Sequence, residues 1–339
     1  MAKGAGRALP DVAAIEEAAV RLGGLPDHEL AGRTAALRRR ATSGESLDEL
    51  LPEAYALVSE ASARTELGRR CSPAELRAAI AMHHGAVAEL ADRTTWAPAV
   101  TLTVCLGALE GRGEHLMTSD ASPHTAEVCL LLGLTVGHLV ERMDDRERRR
   151  AYAADVTVGH VDWFGADHMR DDLGAGQGQW VRRGTRRAVV TDADHVLLDR
   201  PFIKHLALQS GGEIVAALNL RGYLRLYDHL AGVSATAAGG AAEFAHLYGL
   251  EVEPIAEDRA VTRLDHGIMV FGTADGHGHP ADHRPARPSE SQARTTRGRC
   301  AGTRRRDRLP APARRSADRH SGHPDQLHRA DQQGHRPAW

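Results

Sequence analysis

The composition of the chain changes abruptly after Phe271, and this change limits which residues can fold. Residues 272–339 hold 14 arginines against 7 acidic residues, and their only large hydrophobic residues are Leu309, Leu327 and Trp339. Such a stretch cannot bury enough apolar surface to offset the conformational entropy that a chain loses on folding. We therefore predict that residues 272–339 are disordered and that the folded part lies within residues 1–271.

Short apolar runs separated by helical stretches occupy much of the chain after Gly85. A run such as Ala188-Val189-Val190 is continuous rather than alternating. This pattern is typical of a parallel sheet whose two faces are both covered by helices. The fold class is therefore α/β, with a parallel sheet flanked by helices. The predicted strands are residues 114–118, 135–139, 156–159, 188–191 and 231–235.

Residues 1–66 are predicted to form a helical segment that precedes the sheet. Val12, Ile15, Ala19 and Leu22 recur at spacings of three and four residues, as on the buried face of a helix. Gly23-Gly24 then ends the run. Further helices are predicted over residues 27–40, 47–64, 214–230 and 241–248, and an irregular connector is predicted over residues 200–212.

The composition excludes several classes of protein. Only 13 of the 339 residues are aromatic, too few for a wide base-stacking surface, so we expect no specific nucleic-acid partner. The four cysteines form no C-x-x-C pair, which argues against a zinc ribbon or a disulfide framework and favours the cytoplasm. No uncharged run reaches the 18 to 20 residues, roughly, that span a bilayer, so we predict no transmembrane segment.

Several blocks of the sequence resemble, in the same order, blocks of one known family. Residues 47–56 (LDELLPEAYA) resemble the opening helix of that family, and residues 154–171 resemble its run ADITYGTNNEFGFDYLRDN. Residues 223–232 (YLRLYDHLAG) and 243–250 (EFAHLYGL) resemble its stretches YFRLYxKLAGMTGTA and EEFxxIYGL. From about residue 11 to residue 271, the chain thus resembles the amino-terminal part of SecA, the bacterial preprotein translocase motor.

The resemblance implies a fold and a domain organisation. Residues 67–271 would form the first nucleotide-binding domain, a DEAD-like domain of the RecA-like, P-loop NTPase and helicase type, which in the family binds ATP and Mg²⁺. The family inserts a preprotein cross-linking domain where this chain has only the connector 200–212, so we expect that domain to be missing. The second motor domain is also expected to be absent, because resemblance stops near Phe271. We hypothesise that residues 272–339 are a frameshifted continuation.

The motifs that hold the nucleotide in the family are replaced in this chain. The family's KTGEGKT falls on residues 91–97, where Trp96 replaces the phosphate-binding lysine and Ala97 the metal-binding threonine. Its acidic motif DEVD falls on residues 191–194, so Asp192 replaces the catalytic glutamate. Its adenine-recognising glutamine falls on Glu75. The degenerate nucleotide-pocket positions are Glu75, Arg93, Thr94, Thr95, Trp96, Ala97, Thr191, Asp192 and Asp194.

Phosphate transfer in this fold needs loop amides, a lysine and a hydroxyl group on Mg²⁺. The chain has only two lysines, Lys3 and Lys204, and neither lies beside a glycine-rich turn. We therefore predict no catalytic residue, no metal ligand and no resident cofactor, although the resemblance implies ATP and Mg²⁺. The pair His83-His84 is interpreted as structural.

Three functions remain open at this stage. The preferred one is a SecA-like protein of the preprotein translocation system that has lost ATP hydrolysis and acts as a binding or regulatory remnant. Its partners would be the Sec translocon, a preprotein or a full-length SecA-type subunit, in the cytoplasm or peripherally at the inner face of the plasma membrane. The alternatives are an accessory SecA-type ATPase that drives export, and a non-functional product of a decayed gene copy.

Overall fold

The computed structural model describes residues 10–119, 122–173, 180–199, 205–210 and 213–258. All of these residues belong to the unit Met1–Leu264. The predicted disorder and frameshift of residues 272–339 lie outside the described residues.

Three helices open the described part of the chain, as predicted. They are α1 (Val12–Leu22), α2 (Asp27–Thr42) and α3 (Leu47–Ala63). Helix α3 begins with a capping box, in which Ser46 and Glu49 each bind the other's backbone amide. Such a box satisfies two amides that a helix start leaves without partners. The buried face of α1 consists of Ile15, Ala19 and Leu22, which are three of the four residues that the periodicity singled out.

A seven-stranded sheet forms the centre of the fold, and every pairing in it is parallel. Its strands are β1 (Val87–Glu89), β2 (Glu114–Met117), β3 (Val136–His138), β4 (Val156–Gly159), β5 (Arg187–Thr191), β8 (His229–Ser234) and β9 (Val252–Pro254). The spatial order is β3-β4-β2-β5-β8-β1-β9. All five predicted strands are present, and the short strands β1 and β9 were not predicted.

Helices cover both faces of the sheet. The buried side chains form two hydrophobic clusters, and neighbouring residues of β5 enter different clusters: Val189 enters the first, whereas Ala188 and Val190 enter the second. The apolar run is therefore continuous because both faces of the sheet are covered, as predicted. The helices after α3 are α4 (Pro73–His83), α5 (Trp96–Ala108), α6 (Pro123–Leu131), α7 (Asp145–Tyr152), α8 (Val161–Leu173), α9 (Leu220–Leu224) and α10 (Ala241–Tyr248).

The connector is the place where the sequence prediction was wrong. Strands β6 (His205–Ser210) and β7 (Glu213–Asn219) form a separate antiparallel pair. The predicted irregular connector over 200–212 thus contains a strand, and the helix predicted over 214–230 shrinks to α9. Gly211-Gly212 is a hairpin signal between the two runs, but the run Ile-Val-Ala-Ala-Leu suits a helix or a strand equally in composition.

No helix among the described residues is both long enough and apolar enough to cross a membrane.

Candidate functional site

The predicted pocket lies at the carboxyl ends of β2, β4 and β5, beside the start of α5. Ligands of open parallel α/β sheets bind at this edge. A cavity of about 110 Å³ opens here. The residues that line it include the predicted Arg93, Trp96, Ala97, Thr191 and Asp192, together with Val100, Leu116, Thr118, Ser122, Thr125, Ala126, His138 and Val158.

The hydrogen-bond donors of the loop before α5 bind acceptors within the same loop. It is a single 3₁₀ turn, Arg93–Thr95, capped by Asp92. The Asp92 carboxylate accepts the amide of Thr94 at 2.9 Å and its hydroxyl at 2.8 Å. The Asp92 carbonyl accepts the amide of Thr95 at 3.1 Å and its hydroxyl at 2.6 Å. The amide of Trp96 donates to the carbonyl of Arg93, so three successive amides are used within the turn.

Arg93 bridges the pocket. One of its guanidinium nitrogens lies 2.6 Å from Oδ1 of Asp192 and 2.8 Å from Oδ2. Its Cζ lies 4.4 Å from the ring centroid of Trp96, within the range of a cation–π contact. The ion pair joins residues 99 positions apart in sequence, and it links the start of α5 to the end of β5.

Trp96 forms part of the pocket wall. The side chain is 6% exposed, and its indole Nε1 donates to the carbonyl of Leu90 at 2.9 Å. The adjoining Ala97 offers no side-chain oxygen, and its carbonyl accepts the hydroxyl of Thr101 at 2.7 Å. An indole ring has no positive charge, and once its N–H is bonded it has no other hydrogen-bond donor.

The segment after β5 carries the remaining predicted positions. The hydroxyl of Thr191 donates to Thr118 at 3.0 Å. Asp192 has a φ of +50°, in the left-handed region that non-glycine residues rarely adopt. The carboxylate of Asp194 accepts the hydroxyl of Thr236 at 2.6 Å. Burial raises the pKa of Asp194, but hydrogen bonds from Thr236 and Ser234 outweigh it and hold the pKa below its usual value.

Glu75 lies apart from this cavity, at the start of α4. It is fully buried, and its carboxylate binds Arg69 through two contacts of 2.6 and 2.9 Å. It also accepts the amide of Ser72 at 2.7 Å, as half of a capping box. Both of its oxygens are therefore bonded within the protein.

A second cavity, of about 430 Å³, separates Glu75 from the 3₁₀ turn. Three carboxylates line it, on Asp92, Glu257 and Asp258. Its two arginines bind acids themselves, since Arg69 binds Glu75 and Arg70 lies 2.6 Å from Glu60. The surface of this cavity therefore carries no excess of positive charge.

Two groups of contacts around the site were not predicted from the sequence. Asp258 accepts the amide of Ala74 at 2.9 Å and binds Arg77 at 3.0 Å across 181 positions of sequence. No local pattern could have indicated this contact. The pairing of Ser72 with Glu75 could have been found, because Ser followed three residues later by Glu is the sequence signature of a capping box.

The architecture defines a class of protein before any comparison is made. A parallel sheet with helices on both faces, and a loop leading into a helix at its carboxyl edge, belongs to the RecA-like α/β class. In this chain, the residues around that loop bind one another.

Comparison with known proteins agrees with that class. Residues 3–203 match the family model of the SecA DEAD-like domain. The relatives named Protein translocase subunit SecA from Kineococcus radiotolerans and Syntrophotalea carbinolica are 40% identical over 179 residues and 35% identical over 222 residues. The first match covers 51% of this chain and 20% of the relative, and the second covers 63% and 25%.

The chain belongs to the SecA DEAD-like domain family. It spans between a fifth and a quarter of the length of these curated relatives. The sequence resemblance to SecA is therefore confirmed.

Proposed function

We propose that this protein is a SecA-like member of the preprotein translocation system that does not hydrolyse ATP and acts by binding other components. The observation that carries the proposal is the ion pair between Arg93 and Asp192, because it joins the two sides of the pocket where a nucleotide and its metal ion would have to fit. The guanidinium of Arg93 thereby neutralises the carboxylate of Asp192.

The donors that remain do not suit a triphosphate with Mg²⁺. A phosphate-binding loop presents free amides at a helix start, whereas the amides of Thr94, Thr95 and Trp96 donate within the turn. Trp96 supplies no cation, and Ala97 supplies no oxygen for the metal. Removing a single preorganised donor from an active site costs roughly 10²- to 10³-fold in rate, so the combined replacements leave no useful turnover.

The adenine side of the pocket supports the same proposal. Glu75 carries a carboxylate where the family has an amide, and a carboxylate that is ionised cannot donate a hydrogen bond. Asp258 is paired with Arg77, whereas Asp92 and Glu257 add negative charge along the path to the turn. These groups oppose a polyanionic ligand.

The names of the relatives give the biological setting of the proposal. They are subunits of the protein translocase, so the partners that we propose are the Sec translocon, a preprotein or a full-length SecA-type subunit. Binding would take place in the cytoplasm or at the inner face of the plasma membrane.

Release of inorganic phosphate from ATP by the purified full-length chain tests the proposal. We expect no release above the buffer rate, with or without Mg²⁺. Asp192→Asn and Thr95→Ala serve as matched variants and should give the same baseline. Release that requires Mg²⁺ and disappears in Asp192→Asn would instead establish an accessory ATPase.

The binding role needs its own experiment. The tagged chain, expressed in its native cytoplasm, should recover a translocon component or a SecA-type subunit. Recovery of neither would favour a decayed gene product.

A further inference from the structure

Three side chains able to bind a metal ion converge at the amino-terminal edge of the sheet, opposite the candidate functional site. Asp48 lies in the first turn of α3, His83 is the last residue of α4, and His84 caps that helix. One ligand atom from each lies within 4.8 Å of the other two. No metal ligand was predicted from the sequence, and both histidines were interpreted as structural.

The spacing of the donor atoms suits a transition-metal ion. Oδ1 of Asp48 lies 2.8 Å from Nε2 of His83 and 3.9 Å from Nε2 of His84. Tetrahedral zinc with bonds of about 2.0–2.2 Å holds its ligand atoms roughly 3.3 Å apart. The first separation is shorter than this value and the second is longer, so a bound ion would move Asp48 and His83 apart by about 0.5 Å and draw the more exposed His84 ring closer.

The backbone that carries these ligands is held in place. The side chain of His229 donates from Nε2 to the carbonyl of His83 at 2.8 Å. The amide of His84 donates into the last turn of α4. The capping box at Ser46 and Glu49 fixes the start of α3, where Asp48 lies. Ligands on rigid elements lose little conformational freedom when they bind an ion.

We propose that Asp48, His83 and His84 form a binding site for zinc or a similar divalent transition-metal ion. Two imidazoles and one carboxylate favour such ions over Mg²⁺ or Ca²⁺, which prefer oxygen ligands. Asp48 is partly exposed and the His84 side chain is 28% exposed, so water can complete the coordination. The bound ion would join α3 to α4.

His84 is the residue that separates this proposal from a purely structural role. The contact between Asp48 and His83 alone would position α3 against α4. A second imidazole at 3.9 Å from the same oxygen adds little to that contact, but it supplies the third ligand of a metal site.

Zinc titration of the full-length chain tests the site, with His84→Ala as the main variant. His246→Ala is the matched control, because it removes an exposed histidine near the carboxyl end of another helix. Calorimetry gives the number of ions bound, and the zinc-dependent rise of the melting temperature reports binding to the folded state. The remaining histidines, including His277, His279 and His283, are the same in the unaltered chain and in both variants, so a difference between the titrations reports on the altered residue.

We expect His84→Ala to lose one equivalent of tightly bound zinc, or to bind it at least tenfold more weakly. The zinc-dependent stabilisation should be lost with it. Asp48→Asn should weaken binding in the same direction, and His246→Ala should behave as the unaltered chain. Equal titrations and equal stabilisation of His84→Ala and the unaltered chain would overturn the proposal. An absence of zinc-dependent stabilisation in the unaltered chain would also overturn it.

Discussion

Trp96 and Arg93 touch each other, yet they differ sharply in burial, and this difference determines what each contributes. Trp96 is 6% exposed and has its indole N–H bonded, whereas the Arg93 side chain is 63% exposed. A buried indole stabilises a fold mainly through the apolar area that it covers. An exposed ion pair contributes little, because water screens it.

The two residues should therefore respond very differently to truncation. We expect Trp96→Ala to lower the free energy of unfolding by about 3–5 kcal/mol, the usual cost of deleting a large buried aromatic side chain. Arg93→Ala should lower it by less than about 1 kcal/mol. Urea unfolding of both variants checks this. Equal costs would mean that Trp96 has not become part of the core.

His115 gives the folded state a dependence on pH. The ring lies on β2, buried, with Nδ1 2.8 Å from the hydroxyl of Tyr227 and the Phe164 ring 4.7 Å away. Burial and, to a lesser extent, the charge of Arg182 lower the pKa of His115 from 6.5 to about 3. Between these two pH values, His115 binds a proton in the unfolded chain but stays neutral in the folded chain. The free energy of unfolding therefore falls as the pH falls from about 6.5 toward 3.

Replacing His115 by Gln should remove this dependence. From about pH 7 to about pH 5, the unaltered chain should lose about 2 kcal/mol through this residue, whereas His115→Gln should not. The variant is expected to be the less stable protein at neutral pH, and the difference should shrink or reverse on acidification. Urea midpoints at both pH values measure this, with His246→Gln as an exposed control. Parallel curves for all three proteins would refute the assignment.

At the scale of elements, close approach of backbones decides where small residues are needed. An added Cβ on Gly137, in β3, would overlap the backbone of Ala151 in α7. Glycine in a strand is often found where another backbone approaches closely. By contrast, Gly32 in α2 is exposed and has no atom within 4 Å of an added Cβ.

Alanine at these two glycines should have opposite effects. Gly137→Ala should destabilise the protein by about 1–3 kcal/mol or more, since β3 and α7 must move apart. Gly32→Ala should stabilise it by up to about 1 kcal/mol, because alanine favours a helix interior. Thermal unfolding of the pair checks both signs. A stable Gly137→Ala variant would mean that β3 and α7 do not pack as described.

The elements also show what the sequence could predict. Strand β5 is recognisable because its three successive apolar residues, Ala188, Val189 and Val190, pack into two hydrophobic clusters, and α1 is recognisable because its buried apolar residues share one face. Strand β1 has only three residues, too few for a period to show. Strand β7 contains the run Ile-Val-Ala-Ala-Leu, whose pairing with β6 depends on tertiary context rather than on local pattern.

The same contrast holds for the candidate site. Motif positions could be assigned one by one along the chain, including Trp96 and Asp192. The ion pair between Arg93 and Asp192 could not be predicted, because it depends on how the start of α5 packs against the end of β5. The carboxylate of Asp258 near α4 is a similar case.

For the whole molecule, we propose that a domain of the SecA family has lost its nucleotide site because residues of that site bind one another. The seven-stranded parallel sheet with helices on both faces is that of the RecA-like class. The ion pair, the bonded turn amides and the buried Trp96 lie at the edge where such folds bind their ligands. If this is correct, folding and nucleotide affinity are separable properties in this chain.

Calorimetric titration of the full-length chain with ATP and Mg²⁺ tests that claim most directly. A cooperative urea transition of the same sample first establishes that the chain is folded. We predict no saturable heat at micromolar nucleotide, and the same trace for the unaltered chain and for Asp192→Asn. Micromolar binding that requires Mg²⁺ and is lost in Asp192→Asn would contradict it.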